Sequence, residues 1–260
     1  MKPRINFLIG ETKKKSHITG RCFRQGYGPE CKLMFSDEWV KLSHQGAYPK
    51  NIASYGILIG QYQDTGKFIS NARARCKNYY HIDHGYFLRS DIDKFDGYFR
   101  IVKNSMFHNG QNEDFSWDRF NSFGIKLKDW RNNGEHIVLS PLSPFMENFL
   151  QNKTWTEDTI KELRKYTDRE IIISRKVTLD SPNAIPMVEA MQNAWCVVTE
   201  HSNSAIDAMI EGIPAIFTNP SRKNAELSEI EKPPMDREFF KNLANHQWTL
   251  EQISRGEPWE

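Results

Sequence analysis

The sequence contains few cysteines, and they are not spaced as disulfide or zinc sites usually are. The four are Cys22, Cys31, Cys76 and Cys196, and no two of them form a C-x-x-C pair. This spacing argues against a disulfide framework and against a structural metal. We therefore expect buried thiols.

Long hydrophobic runs are missing as well. The apolar run at residues 5–10 is too short for the core of a signal peptide and far too short to span a membrane. The sequence thus predicts a soluble, cytoplasmic protein without a membrane partner.

Three patterns of known chemistry are absent from the sequence. No G-x-G-x-x-G segment occurs, which argues against a dinucleotide-dependent oxidoreductase. Residues 10–16 superficially match a phosphate-binding loop but lack the second glycine before the Lys-Ser pair. The H-x-E and P-C-x-x-C pattern of zinc deaminases is missing too.

Charge is present but unevenly distributed. Residues 1–107 contain 18 Lys and Arg against 9 Asp and Glu, whereas the remainder contains 17 against 24. This asymmetry predicts that the N-terminal half meets an anion, with nucleic acid as the leading candidate and a solvated basic surface as the alternative. The residues assigned to acceptor or DNA binding are Lys13, Lys14, Lys15, Arg21, Arg24, Arg89 and Arg100.

A chain of 260 residues is long enough for two lobes. A polar segment, 108–134, marks the boundary, so we predict lobes at 1–125 and 126–260, the second including C-terminal helices. In the first lobe, glycines at 20, 26 and 28 predict a long basic loop rather than a helix. The other predicted elements of this lobe are strands at 4–10, 54–60, 79–87 and 95–102 and a helix at 65–77.

In the second lobe, strands alternate with helices, which predicts an α/β fold with a parallel, Rossmann-like sheet. The predicted strands are 136–139, 171–173, 196–199 and 215–218. The predicted helices begin at 145 and cover 156–166, with a threonine cap, 185–194 and 205–211. The tail, 236–260, is predicted to be helical with an amphipathic end.

The strongest local pattern is residues 195–217, where a strand, a polar turn at 200–204 and a helix closed by Gly212 follow one another. Such a turn offers backbone N–H groups and the positive end of a helix dipole to a diphosphate. The alternative is a turn that only caps a structural helix. A second strand end, Ser174-Arg175-Lys176, favours binding. The residues assigned to donor binding are Ser140, Arg175, Lys176, Glu200, His201, Ser202, Asn203 and Ser204.

A second pattern is His-Ile-Asp-His-Gly-Tyr at 81–86. On a strand, His81 and Asp83 lie on one face and His84 on the other. We take these three as candidate catalytic residues, with Asp83 as general base if partial burial raises its pKa toward neutrality. Metal binding and a purely structural role are the alternatives. Because no matching second set of His and Asp follows, we expect no metal. Arg89 and Arg100 are placed to pair with Asp83 or with a substrate phosphate.

The segment TEHSNSAIDAMIEGIPAIF, 199–217, resembles the donor site of GT-B-fold glycosyltransferases, including capsule-polysaccharide types, in which a small-residue turn precedes a helix ending in Gly-x-Pro. The segments 79–87, 97–104 and 240–259 are similar to compact phage-encoded glycosyltransferases that act on hydroxymethylpyrimidines in DNA. The resemblance implies two Rossmann-like lobes facing across a cleft, with the donor on the C-terminal lobe and the acceptor on the N-terminal lobe.

The resemblance also implies an activity. A hexose or pentose would move from a nucleotide sugar, most often UDP-linked, to a 5-hydroxymethylpyrimidine in double-stranded DNA. No tightly bound cofactor is implied, and inversion without a metal follows if Asp83 is the base. Arg175 would assist the serines with the diphosphate, Glu200 would bind sugar or ribose hydroxyls, and Asp207 and Glu211 both remain open for the ribose.

Two other functions stay open at this stage. One is transfer to a cell-surface glycan or a small molecule, and the other is a non-catalytic DNA-binding module. We expect a monomer, located in the host cytoplasm if the protein is phage-encoded.

Overall fold

The structure is a computed structural model. It describes residues 5–9, 14–35, 54–57, 78–89, 96–105, 107–108, 113–175 and 184–259. Contacts divide the chain into two compact units. Unit 1 comprises 1–108, 112–119 and 241–260, and unit 2 comprises 109–111 and 120–240.

The described strands and helices follow one another along both units. The strands are β1 (Ile5–Ile9), β2 (Cys31–Phe35), β3 (Ser54–Ile57), β4 (Asn78–His84), β5 (Tyr98–Lys103), β6 (His136–Ser140), β7 (Ile171–Ile173), β8 (Ala194–Thr199), β9 (Ala215–Phe217) and β10 (Gln247–Thr249). The helices are α1 (Lys14–Tyr27), α2 (Asp118–Ser122), α3 (Pro144–Leu150), α4 (Trp155–Leu163), α5 (Met187–Ala190), α6 (Ser204–Ile210), α7 (Phe239–Ala244) and α8 (Leu250–Arg255). Two 3₁₀ turns lie at Leu227–Glu229 and Glu257–Trp259.

Unit 1 contains a six-stranded mixed sheet in the order β10-β5-β4-β3-β1-β2. The pairs from β4 to β2 are parallel, whereas β5 is antiparallel to both β4 and β10. The strands predicted at 4–10, 54–60, 79–87 and 95–102 correspond to β1, β3, β4 and β5. The sequence analysis placed no strand at β2.

The C-terminal segment packs in unit 1, whereas the sequence analysis grouped it with the second lobe. Gln247 in β10 pairs with Arg100 in β5. Its buried side chain accepts hydrogen bonds from the N–H groups of Tyr86 (2.7 Å) and Phe87 (2.9 Å). The tail is therefore interrupted by a short strand, in contrast to the predicted run of helix.

Helix α1 corrects the prediction of a long loop around residues 14–27. Glycine disfavours a helix by about 1 kcal/mol, but Gly26 lies where α8 crosses α1. A Cβ built on Gly26 would lie 1.8 Å from the carbonyl oxygen of Ile253. The rings of Phe23 and Tyr27 pack edge-on against Trp259, with centroids 4.7 and 5.2 Å away. These tertiary contacts outweigh the low helix propensity of the glycines.

Unit 2 contains the predicted parallel sheet, with strand order β7-β6-β8-β9. Every residue of β6 and β9 is buried, as expected for a sheet covered on both faces. Ser143 caps helix α3, and its hydroxyl accepts the N–H of Met146. Gly212 follows α6 with φ of +82°, so the predicted glycine stop is confirmed.

Two predicted helices differ in detail. The helix predicted at 185–194 covers only Met187–Ala190, because Ala194 already pairs with His136 in the sheet. Helix α4 begins after Thr154, whose side chain does not cap it; the Thr154 hydroxyl donates to Asp158 instead. The helix predicted at 65–77 lies outside the described residues.

Two of the thiols are buried, as predicted. Cys31 and Cys196 are at most 1% exposed, and burial raises the pKa of Cys31 to about 12. Cys22 is partly exposed, and Cys76 lies outside the described residues. Among the residues described, no helix has the length and hydrophobicity needed to cross a bilayer.

Candidate functional site

The carboxyl ends of the strands in unit 2 bring polar residues to one edge of the sheet. Ser140 ends β6, Glu200 follows β8, and Arg175 follows the bridge residue Ser174 just after β7. Because β7, β6 and β8 are adjacent and parallel, these three residues lie at the same edge. Open α/β sheets bind ligands at this edge.

Hydroxyl groups form the centre of this arrangement. The Ser204 hydroxyl lies 2.8 Å from that of Ser202 and 3.1 Å from that of Ser140. The Thr199 hydroxyl donates to the carbonyl of Ser140 at 2.8 Å. We call Ser140, Thr199, Glu200, Ser202 and Ser204 the strand-end site.

The backbone of the turn differs from the prediction. The N–H of Ser202 donates to the Thr199 hydroxyl at 3.3 Å, and the N–H of Ser204 donates to the Ser202 hydroxyl at 3.2 Å. The expectation of free amides is therefore wrong for these two residues. Because α6 has only seven residues, its N-terminus alone does not make an anion site, and the candidate ligand groups at this turn are the side-chain hydroxyls.

Glu200 is the charged member of the strand-end site. Its side chain is buried, with Oε1 accepting a hydrogen bond from Asn219 at 3.1 Å, while the buried Oε2 has no hydrogen-bond partner among the residues that the structure describes. Burial raises the pKa of Glu200, and the Asn219 hydrogen bond opposes this only in part. A buried carboxyl oxygen without a partner is costly unless a ligand completes it.

Two neighbours of Glu200 were missed by the sequence analysis. Asn219 also donates its N–H to the Glu200 carbonyl at 3.1 Å. The buried Arg222 lies 4.4 Å above the Phe217 ring and donates to the carbonyl of His201 at 2.9 Å. Both follow β9, so applying the strand-end rule to this fourth strand would have identified them.

The other donor-site predictions lie around the same turn. His201 and Asn203 are partly exposed, and the carbonyl of Asn203 accepts the N–H of Asp207. Arg175 is exposed, and Lys176 lies outside the described residues. The structure thus brings the described members of the predicted set to one edge, while their role stays a prediction.

In unit 1, Asp83 and Arg100 form an ion pair. Arg100 Nη2 lies 2.9 Å from Asp83 Oδ2, and Asp83 Oδ1 accepts the N–H of His84 at 2.8 Å. Arg100 also lies 5.4 Å from the centroid of the Tyr86 ring. His81 is 1% exposed on the same strand.

The ionisation of Asp83 differs from the expectation. Burial raises the pKa of this carboxyl, but Arg100, His81 and the N–H of His84 outweigh burial, so the pKa is lowered. A general base needs a pKa near neutrality. The expected upward shift is therefore wrong, because of the two partners left open for Arg100, Asp83 or a substrate phosphate, Arg100 pairs with Asp83, which lies directly opposite it.

The predicted DNA-binding residues differ in exposure. Arg21 and Arg24 are exposed on α1 and line an open pocket of about 510 Å³ with Gln25, Gly28 and Pro29. Arg89 is exposed, whereas Arg100 is buried and paired, so Arg100 is not available to a phosphate. Lys14 and Lys15 begin α1, and Lys13 lies outside the described residues.

A third polar cluster was not anticipated. His246 Nε2 lies 2.6 Å and His108 Nε2 3.3 Å from Glu113 Oε2, and the two imidazole rings stack at 3.6 Å. We call these three residues the His-Glu-His cluster. His246 is 133 positions from Glu113, so spacing in the sequence gave no signal.

Comparison with known proteins identifies solved structures with a similar fold. No protein-family model and no curated protein matches this chain. Among solved structures, the beta Kdo 2,4 transferase of KpsC from Thermosulfurimonas dismutans is similar, with 10% identity and a TM-score of 0.50 over 95% of this chain and 92% of that one. The beta Kdo 2,7 transferase of the same KpsC has 13% identity and a TM-score of 0.51, over 93% and 91%.

At these identities the likeness shows the fold alone. The chain has the α/β fold that these two Kdo transferases share, which agrees with the predicted fold class. The predicted lobe boundary, the cleft, the monomeric state and the location stay predictions.

Proposed function

We propose that this chain is a glycosyltransferase that binds a nucleotide-activated sugar at the strand-end site. The observation that carries the proposal is Glu200 at the carboxyl end of β8, a buried carboxyl whose Oε2 finds no hydrogen-bond partner in the described part of the chain. Sugar and ribose hydroxyls are donors that would complete this oxygen. The fold shared with two Kdo transferases supports the same function.

The hydroxyl cluster and Arg175 supply the rest of the donor site. Ser140, Ser202 and Ser204 can donate to phosphate oxygens, and an arginine adds a charge-assisted hydrogen bond. In the reaction, the acceptor hydroxyl attacks the anomeric carbon, the bond from that carbon to the phosphate oxygen breaks, and the hydroxyl proton passes to solvent. Negative charge then develops on the leaving phosphate, which these donors stabilise. The proposal assigns no metal to this step, and a UDP-sugar is the first donor to test.

The candidate catalytic residues Asp83, His81 and His84 belong to unit 1. Because its pKa is lowered, Asp83 is ionised at neutral pH and is a weak proton acceptor. We assign it to orienting an acceptor hydroxyl by hydrogen bonding rather than to strong general-base catalysis.

Two acceptor classes each have an observation in their favour. Both similar structures are transferases of the sugar Kdo, which favours a glycan acceptor. The exposed Arg21 and Arg24, three positions apart on α1, favour an anionic acceptor such as double-stranded DNA with hydroxymethylpyrimidines.

The donor assay comes first. The protein is incubated with a panel of nucleotide-activated sugars, including UDP-sugars and activated Kdo, and release of the nucleotide is measured with and without acceptor. We expect release with at least one donor, and at least tenfold less with Glu200→Gln, because the neutral amide loses the strong acceptor. Glu135→Gln, at an exposed position before β6 and so at the opposite edge of the sheet, serves as the control. Equal loss in both variants, or no release with any donor, would overturn the proposal.

Acceptor class is then resolved by product analysis. Hydroxymethylated DNA and oligosaccharides are offered separately, and mass gain is measured on nucleosides or on glycans. For DNA, each of Arg21→Gln and Arg24→Gln should lower the slope of log affinity against log salt by about 1. The control is Lys126→Gln, at an exposed position of unit 2. A flat salt response together with glycan mass gain would exclude DNA.

A further inference from the structure

The His-Glu-His cluster gathers three side chains whose acceptor atoms lie close together. The ligand atoms of His108, Glu113 and His246 are all within 4.8 Å of one another. The side chains are 20%, 32% and 20% exposed, so solvent reaches the cluster while most of each side chain is covered. Two imidazole nitrogens and one carboxylate oxygen are ligands that Zn²⁺ and other divalent first-row transition metals prefer.

The backbone holds each of the three residues in place. The N–H of His108 donates to the Tyr86 hydroxyl at 2.7 Å, and Asn242 donates to the Glu113 carbonyl at 2.6 Å. The carbonyl of His246 accepts the N–H of Ile101 at 3.3 Å. Such support reduces the loss of conformational freedom on ligand binding.

The arrangement of the cluster also favours a cation. The Glu113 carboxylate faces both imidazoles, whose rings stack at 3.6 Å. One nitrogen of each imidazole and this carboxylate can together hold a divalent ion. The rings are only 19° from parallel, so one imidazole must turn to bring both Nε2 atoms to the same ion.

From this arrangement we propose that His108, Glu113 and His246 bind one divalent transition-metal ion of the Zn²⁺ type, with water completing the coordination. The ion links the segment after β5 to the residue that precedes β10. It therefore clips the C-terminal segment to unit 1, closing a loop of more than 130 residues. Tyr86 connects the cluster to Arg100, and so to Asp83.

The test uses the full chain without a polyhistidine tag. Metal is removed with a chelator, the chelator is removed by desalting, and Zn²⁺ binding is measured by titration calorimetry and by metal analysis after gel filtration. Wild type should retain one ion per chain and melt at a higher temperature with Zn²⁺. Glu113→Gln keeps a side chain that can hydrogen-bond to both imidazoles, and should lose at least tenfold in affinity. His246→Ala should lose stoichiometric binding.

Asp114→Asn is the matched control, because Asp114 is adjacent to Glu113 but its side chain is 93% exposed outside the cluster. It should bind Zn²⁺ as wild type does. Far-UV circular dichroism of each metal-free variant checks that folding is retained. The proposal is overturned if wild type retains no ion, or if Glu113→Gln and Asp114→Asn bind Zn²⁺ equally well. Substitution with Co²⁺ gives a second readout, since the visible spectrum of wild type should change on binding and that of Glu113→Gln should not.

Discussion

Arg100 lies directly opposite Asp83 in the antiparallel pairing of β4 and β5, with Nη2 2.9 Å from Oδ2. The side chains are only 7% and 19% exposed. The pair thus removes two charges from water and compensates each with the other. Its geometry explains why the carboxyl that resembles a catalytic base in the sequence has a lowered pKa.

Breaking this pair should destabilise unit 1. In Arg100→Met the Asp83 carboxylate stays in a partly buried position without its cation, and the free energy of unfolding should fall by about 3 kcal/mol. Asp83→Asn with Arg100→Met should recover part of the loss, because neither charge is then unpaired. Chemical denaturation of the single and double variants measures this coupling. Strictly additive losses would show that the two side chains do not interact.

The same pair predicts a dependence of stability on pH. Because the pKa of Asp83 is lower in the folded than in the unfolded chain, the carboxylate stabilises the fold above the unfolded pKa. This contribution should be lost as pH falls below the unfolded pKa of about 3.9 and through the lower folded pKa. Unfolding curves across this range should show a steeper decline for wild type than for Asp83→Asn. Parallel declines would contradict the lowered pKa.

The sheet of unit 2 could be predicted from the sequence because its strands are short apolar runs that alternate with helices and end in polar residues. Ser140, Arg175 and Glu200 lie at or just after the ends of apolar strands. Because parallel strands end at one edge of a sheet, the sequence predicts that these residues lie at that edge. Even there, the sequence did not show that hydroxyls of Thr199 and Ser202 occupy the backbone amides.

Contacts between distant parts of the chain could not be predicted in this way. Helix α1 forms in spite of its glycines because α8 packs on Gly26. Strand β10 pairs with β5 although the two strands lie far apart in the sequence, so no local pattern predicts the pairing. The His-Glu-His cluster depends on that pairing as well, because it brings His246 beside Glu113.

Close packing at Gly26 gives a prediction with an unusual sign. In an exposed helix, Gly→Ala stabilises by about 1 kcal/mol. Here the new Cβ would lie 1.8 Å from the Ile253 carbonyl and 2.8 Å from the N of Gly256, so α1 and α8 must separate. We expect Gly26→Ala to lower the free energy of unfolding by about 2 kcal/mol. Gln25→Ala, at the exposed neighbouring position, should have little effect, and a more stable Gly26→Ala would contradict the observed helix contact.

Replacing Glu200 should have opposite effects on the stability of the fold and on donor binding. Burial raises the pKa of this carboxyl, so its ionisation opposes folding. The favourable neutral form is present below the unfolded pKa of about 4.3, and its benefit is lost as pH rises through the folded pKa. Glu200→Gln cannot ionise, and should therefore be more stable than wild type at neutral pH by about 1 kcal/mol. The difference should disappear in acid.

Donor binding by Glu200→Gln should be weaker than that by wild type. If Oε2 of Glu200 accepts a sugar or ribose hydroxyl, Glu200→Gln should lose the thermal stabilisation that a nucleotide sugar gives to wild type, even though its own melting temperature is higher. Such opposition is characteristic of polar groups kept buried for a ligand rather than for the fold. Glu135→Gln should change neither quantity, because Glu135 is exposed and precedes β6 at the opposite edge of the sheet. A variant that gains stability and keeps full ligand-induced stabilisation would show that Glu200 is not part of the donor site.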